Sequence, residues 1–286
     1  MRSISIVLPI YNEEKSIYKT ISELKEALRK SRINYEIIAV NDGSTDNSPS
    51  ILKKIKGIKV IEHPYNKGYG ASLKSGIKKS KNGWILTTDV DGTYPLSDIP
   101  RLIKGIGSYD MVVGARIGEH VKIPILRKPA KYILGRFANY LTKRKIPDLN
   151  SGLRVFKKEL ALRFWDILPP GFSFTTTITI AAHVNEYSVK YIPINYYTRK
   201  GKSTIHPVKD FIGFIGLIFR TTMYFEPLKI FIPVALILFL LALLRLVRDL
   251  ILLNDMGDLA TLMFLTAFQI FFFGLLADLI NKRTKS

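Results

Sequence analysis

Two carboxylates one residue apart, Asp89 and Asp91, stand directly beyond an apolar run, Trp84–Thr88, and are followed by Gly92. A pair so spaced on a turn can share an oxygen-ligating divalent cation. Mg²⁺ suits it, keeping waters and bridging substrate phosphates, and Mn²⁺ also takes oxygen ligands. Such a cation neutralises a departing nucleoside diphosphate as a Lewis acid. A D-x-D alone is common in solvated turns, so its meaning depends on its company. Asp42 supplies some: it follows a second apolar run, Tyr35–Val40, and opens a Gly/Ser-rich turn ending at Asp46. It can accept hydrogen bonds from a nucleobase N–H, or serve as an Asx turn or helix cap. Asp46 is the better cap for the helix starting near Asn47, which frees Asp42 for a ligand. Asn66-Lys67-Gly68-Tyr69-Gly70 leads into another helix. Glycine there lets the backbone approach a nucleotide, and a helix N-terminus suits an anion; a plain helix start reads the same way.

The elements that must hold these residues alternate. Ile4–Pro9, Tyr35–Val40, Ile58–Ile61, Trp84–Thr88 and Met111–Gly114 read as strands. Asn12–Lys30, Asn47–Ile55, Gly68–Lys79 and Asp98–Gly105 read as helices, the first with Ile17, Ile21, Leu24 and Leu28 on one face. That order predicts an α/β fold with a mostly parallel sheet flanked by helices. Such sheets bind ligands beyond the carboxyl ends of their strands. Tyr11, Asn12 and Glu13 after the first strand, Asp42 after the second, and Asp89 and Asp91 after the fourth all stand there.

The charge is lopsided. The 286 residues carry 43 Lys and Arg against 23 Asp and Glu, a net charge of +20, which points to anionic partners: nucleic acid, a membrane surface or phosphorylated substrates. With no cysteine, disulfides, thiolate catalysis and Cys-ligated metals are excluded. Residues 116–145 hold nine Lys and Arg, among them Arg116, Arg127 and Lys131, against Glu119 alone. Leu126, Ala130, Ile133, Leu134, Phe137, Ala138 and Leu141 fall on one helical face of the same segment. A basic amphipathic helix of this kind, about 124–142, lies in a membrane interface and is drawn to anionic lipid. The alternative is a helix packed on its own domain with solvated charges. Residues 208–225 read as a second interface helix.

The C-terminus changes character. Leu228–Leu244 and Leu259–Ile280 are apolar all round and close to the roughly 20 residues that cross a bilayer. They predict a hairpin of two transmembrane helices, about 228–248 and 259–280, within 226–286. Lys282, Arg283 and Lys285 in the tail outnumber Arg245 and Arg248 in the link, where Asp249, Asp255 and Asp258 offset them. The positive-inside rule then puts both termini and the first 207 residues on the cytoplasmic side of the cell membrane. No recognised nucleic-acid-binding motif is present, so nucleic acid is not expected as a partner. Two spans provide little intramembrane surface, which leaves a homo-oligomer open.

In combination, Leu8-Pro9-Ile10-Tyr11-Asn12-Glu13, Val40-Asn41-Asp42-Gly43-Ser44-Thr45-Asp46 and Asp89-Val90-Asp91-Gly92 resemble the inverting GT-A glycosyltransferases of family two. The resemblance implies one Rossmann-like catalytic domain over 1–207. In it Pro9, Tyr11, Glu13 and Asp42 hold base and ribose, and Asp89 and Asp91 meet ribose, diphosphate and metal. Asp148-Leu149-Asn150-Ser151-Gly152-Leu153-Arg154 and Arg199-Lys200-Gly201-Lys202-Ser203 are similar to segments of the polyprenyl-phosphate branch, such as dolichyl-phosphate mannose synthases. The implied lipid-phosphate contacts are Arg116, Arg127, Ser151, Arg154 and Arg199, with Lys131 a nearby cation. Gly68 and Lys202 join the nucleotide-sugar set, and Arg199 joins Asp89 and Asp91 in the catalytic set. Thr93 stands where many such synthases carry Gln, a departure that touches the metal shell and sugar preference.

The expected reaction is inverting transfer of a hexose from GDP-mannose or UDP-glucose to a dolichyl or polyprenyl phosphate. Two other readings compete. A transferase acting on a lipid hydroxyl, such as diacylglycerol, needs a general base, and Asp148 is its candidate. A catalytically inactive adaptor that binds anionic lipid has no use for Asp42, Asp89 and Asp91. A processive polysaccharide synthase needs a Q-x-x-R-W motif, and the one Gln, Gln269, lies inside a span.

Overall fold

Among the described residues, seven strands form one sheet in the order β3-β2-β1-β4-β6-β5-β7. They are β1 (Ser3–Ile10), β2 (Asn34–Asn41), β3 (Lys59–Glu62), β4 (Trp84–Thr87), β5 (Met111–Ala115), β6 (Arg154–Lys157) and β7 (Val189–Pro193). Every pairing is parallel except those of β6, which runs antiparallel to β4 and β5. The helices of this unit are α1 (Ile17–Lys30), α2 (Ser48–Lys54), α3 (Tyr69–Lys79), α4 (Ile99–Ile103), α5 (Lys128–Thr142), α6 (Lys158–Arg163) and α7 (Phe174–Val184). The computed structural model describes residues 3–119, 128–171, 173–198, 216–217, 219–253 and 257–283, with the side chains of α5 described from residue 135 onward.

The sheet follows from the apolar runs. Ile4, Ile6, Val7 and Leu8 of β1 are fully buried on both faces, as a central parallel strand requires. Helix α1 lays Ile17, Ile21, Leu24 and Leu28 on this core, each at most 1% exposed, and each contributes about 1.5–3 kcal/mol of burial. From β1 the chain builds β2 and β3 to one side and β4 onward to the other, so a crevice opens where the strand order reverses.

The expected strands all form. Two helical segments differ from expectation. Residues 11–16 make a turn, and α1 begins only at Ile17, because the amides of Asn12, Glu13 and Glu14 bond to side chains of Ser44, Ser48 and Asp46 instead of starting a helix. The segment expected as one helix over 98–105 is a 3₁₀ turn, Leu96–Asp98, followed by α4.

The chain divides into two compact units, Met1–Phe214 and Ile215–Ser286. The second holds two helices long and apolar enough to cross a membrane, Leu228–Leu253 and Asp258–Arg283. Small residues at seven-residue spacing let them approach: Ala235 and Ala242 on one, Ala260, Ala267 and Gly274 on the other, all buried. Phe231 fills the place of the side chain that Gly274 lacks, since a Cβ there would lie 2.5 Å from Phe231 Cβ. The outward Leu and Phe side chains, such as Leu244, Ile251, Phe272 and Phe273, are exposed.

The link between spans is shorter than expected. Arg245, Arg248 and Asp249 belong to the last turns of the first helix rather than to the link, because Arg245 neutralises Asp249 at 3.0 Å, one turn along. Of the expected helix over 208–225, residues 216–217 and 219–225 are helical, and 208–215 lie outside the described residues.

Candidate active site

The loops after β1 and β2 are built as one piece. Asn12 donates its amide to Ser44 Oγ (3.0 Å), and its side-chain oxygen accepts from the Thr45 amide (2.8 Å). Glu14 and Asp46 repeat this exchange: the Glu14 amide reaches Asp46 Oδ2 (3.1 Å), and Glu14 Oε2 accepts from the Asn47 amide (3.0 Å). Asp46 Oδ1 also accepts from the Ser48 amide at 2.9 Å, an Asx-type bond one residue before the α2 N-cap, Asn47. Pro9, at the end of β1, and Tyr11, just beyond it, are half-buried at the crevice. Glu13 is buried, and its carboxylate takes the Ser16 hydroxyl.

Asp42 is not freed by this bond. It is 3% exposed; its Oδ1 accepts from His63 Nδ1 (2.7 Å) and the Lys67 amide (2.9 Å), and its Oδ2 from the Gly68 amide (2.8 Å). These partners come from β3 and the start of α3, which the parallel topology carries over the end of β2. Gly43 makes the approach possible: at φ +68° its absent Cβ would lie 2.5 Å from the Tyr65 carbonyl carbon.

The glycines at the start of α3 admit protein rather than nucleotide. A Cβ on Gly70 would run into Pro169 O, one on Gly68 would sit 2.8 Å from Pro170 O, and the Ala71 amide donates to Pro170 O at 2.8 Å. The Gly68 amide is thus bonded to Asp42 and the Ala71 amide to Pro170, so these two donors of the expected anion site have protein partners.

Asp89 and Asp91 follow β4 at the crevice. Asp91 Oδ1 accepts both the Thr93 amide (3.1 Å) and the Thr93 hydroxyl (2.7 Å), which fixes how the carboxylate is turned. Asp89 lies against Gly152, where a Cβ would be 2.8 Å from Oδ1 and 2.9 Å from Oδ2. Gly152 is itself clamped: its amide donates to Tyr94 Oη (2.7 Å) and its carbonyl accepts from Thr87 Oγ1 (2.7 Å). Loss of water around its ring and the neighbouring Asp89 carboxylate push the Tyr69 phenol well above its ordinary pKa. Among the described residues no three His, Cys, Asp or Glu side chains form a ready metal cage. Two carboxylates at a crevice still fit an Mg²⁺ or Mn²⁺ ion that takes its other ligands from water and a diphosphate.

On the far side of Gly152, Asp148 is 1% exposed and grips Arg116 through Nε (2.7 Å), Nη2 (2.9 Å) and the Arg116 amide (2.9 Å). The guanidinium stacks over Tyr196 at 5.1 Å, and Tyr196 meets Tyr94 edge-on at 5.2 Å.

Two expected lipid-phosphate contacts, Ser151 and Arg154, are bonded to protein groups here. Ser151 is fully buried, with its hydroxyl on Gly114 O at 2.6 Å. Arg154 is fully buried too, donating to Ser151 O, Thr175 O (3.0 Å) and Thr179 Oγ1 (2.9 Å). Both fasten the backbone that presents Gly152 to Asp89. The interface-helix expectation is also corrected in part: Ala138 and Leu141 of α5 are buried and the helix packs on α7, so this end of its apolar face belongs to the domain. Arg127, Arg199 and Lys202, and the side chain of Lys131, lie outside the described residues.

The comparisons agree with this geometry. The profile of glycosyl transferase family 2 matches residues 5–165, and that of the GtrB C-terminal hairpin matches residues 226–282. The low-salt glycan biosynthesis hexosyltransferase Agl6 of Haloferax volcanii is 29% identical over 214 residues, 73% of this chain and 51% of that one. The chain thus spans about half the length of that relative. A dolichyl-phosphate hexose transferase of the same organism is 28% identical over 206 residues, 71% of this chain and 87% of that one. The glucosyl-3-phosphoglycerate synthase of Mycobacterium tuberculosis, crystallised with Mn²⁺ and UDP-glucose, superposes with a TM-score of 0.60 at 16% identity, over 77% of this chain and 79% of that one, and so shares the fold. With β1, β2 and β4 presenting their motif loops to one crevice, and a profile that spans more than half its length, the chain belongs to glycosyl transferase family 2 and is a glycosyltransferase carrying a GtrB-type C-terminal hairpin.

Proposed function

We propose that the chain transfers a hexose, mannose from GDP-mannose or glucose from UDP-glucose, to a dolichyl or other polyprenyl phosphate, with inversion, at the cytoplasmic face of the cell membrane. The names of the relatives support a polyprenyl-phosphate acceptor, and the apolar hairpin supports a lipid one.

The observation that carries the reading is the burial of Asp148 in a two-pronged pair with Arg116. A lipid hydroxyl would need a general base, and this carboxylate is committed to a guanidinium. A phosphate monoester, with a second pKa near about 6, is already ionised at neutral pH and needs none. Its oxygen bonds to the anomeric carbon from the face opposite the donor diphosphate. The bond from that carbon to the diphosphate oxygen breaks, and the nucleoside diphosphate leaves with the electron pair.

The protein's task is then to hold two anions in line and compensate their charge. Pro9, Tyr11, Glu13 and Asp42 would hold base and ribose, and Arg199 and Lys202 the phosphates. Arg127, Lys131 and the part of the Arg116 fork not used by Asp148 would meet the lipid phosphate. Asp89 and Asp91 would hold Mg²⁺ or Mn²⁺, which when bound neutralises the leaving diphosphate.

The test is Asp91→Ala in purified protein whose melting is unchanged. Transfer should drop at least about a hundredfold, the scale of losing one electrostatic stabiliser. Full activity would refute the assignment. Protease added outside sealed cells should leave the first 207 residues intact; digestion would refute the orientation.

A further inference from the structure

We propose that His63, locked by Ser75, is a positioning residue that aims Asp42 at the nucleobase of the donor; this rests on the reading that Asp42 accepts a base N–H. His63 Nδ1 lies 2.7 Å from Asp42 Oδ1, and Nε2 lies 2.8 Å from Ser75 Oγ. A carboxylate offers no proton, so Nδ1 carries the hydrogen. In the neutral ring Nε2 is then the acceptor and Ser75 the donor. Asp42 thus sets the tautomer, and Ser75, whose hydroxyl can donate, satisfies the ring nitrogen that it leaves as acceptor.

The ring is held from several sides. It follows β3, its own amide donates to Asn41 O at 2.9 Å, and it is 8% exposed. Ser75 sits in the middle of α3, whose N-cap, Gly68, donates its amide to the same carboxylate. Three donors therefore fix Asp42, two on Oδ1 and one on Oδ2, which leaves Oδ2 a second lone pair for a base N–H.

The Asp–His–Ser order resembles a hydrolase relay but does not act as one here. Ser75 lies inside a helix whose amides are spent on the helix ladder, which leaves no donors for an oxyanion. The arrangement instead uses one histidine to hold one carboxylate.

The test uses the full chain in detergent with Mn²⁺, measuring UDP and GDP affinity by calorimetry together with donor KM, kcat and melting midpoint. His63→Leu removes a hydrogen bond to a charged group and should weaken the preferred nucleotide about tenfold, with a matching rise in donor KM and little change in kcat at saturation. His63→Asn puts an amide N–H near the place of Nδ1–H and should restore most of the affinity. Ser75→Ala should give a smaller loss, and it decides the matter if His63→Leu does not fold. Asp42→Asn separates the two ideas. If it leaves both affinities unchanged, Asp42 does not read the base. If it weakens binding while Ser75→Ala and the His63 variants do not, the positioning role is overturned.

Discussion

Gly152→Ala should disable the enzyme while leaving it folded. The new Cβ would lie 2.8 Å from Asp89 Oδ1, 2.9 Å from Oδ2 and 3.1 Å from Cγ. The backbone cannot retreat, since the Gly152 amide is tied to Tyr94 Oη and its carbonyl to Thr87 Oγ1, both at 2.7 Å. The carboxylate must therefore move, by roughly half an ångström to reach ordinary contact. If it swings aside the folding cost is about 1 kcal/mol, at the low end of overpacking effects. The catalytic cost is larger, because a misplacement of about 1 Å is worth on the order of a hundredfold, so kcat should fall about ten- to a hundredfold. The assay is donor turnover at saturating substrate alongside thermal melting. Gly152 has no left-handed φ, so backbone strain does not confound the result. A variant with kcat within twofold of the parent would show that Asp89 has no need of its present position.

Three further outcomes follow from other parts of the molecule. Burial, and then the charge of Arg144, pull His183 down from 6.5 to about 4. The folded state thus favours the neutral ring, so stability is full above 6.5 and declines as pH falls through that value toward 4. The shift is worth at most ~3 kcal/mol and about 1–2 kcal/mol after solvent screening, and His183→Phe should flatten that part of a urea-midpoint profile. Arg154→Met strands the carbonyls of Ser151 and Thr175 and should cost about 2–4 kcal/mol in chemical denaturation without raising donor KM in the folded fraction. Gly274→Val places methyl groups against Phe231 and should loosen the hairpin by about 1–3 kcal/mol, read as faster proteolysis or exchange of the 226–282 segment in detergent.

The first half of the fold was legible because its strands are continuous apolar runs and α1 shows a clean 3.6-residue face. The second half was not. β6 is only Arg154-Val155-Phe156-Lys157, too short for periodicity to identify, and it enters the sheet antiparallel through partners 41 to 73 residues away in sequence. The motif loops after β1, β2 and β4 were legible as a site because their residue types are unusual at strand ends. Their partners were not legible. Capping logic weighs only neighbours in sequence, so it could not see that the amides of Lys67 and Gly68 and the ring of His63 reach Asp42. Arg116 and Arg154 were read as phosphate ligands by resemblance, which could not show that Arg154 donates to carbonyls or that Arg116 gives Nε and Nη2 to Asp148, 32 residues away. The one available signal was that Arg154 directly precedes an apolar pair, Val155-Phe156, where a surface-facing arginine is uncommon.

Labelled GDP-mannose and UDP-glucose should each be offered, with Mg²⁺ or Mn²⁺, to dolichyl phosphate and to diacylglycerol in matched detergent. One of the two donors should label dolichyl phosphate, the product should release its sugar in mild acid as a glycosyl phosphate does, and diacylglycerol should stay unlabelled. Transfer to diacylglycerol with none to dolichyl phosphate would contradict the account.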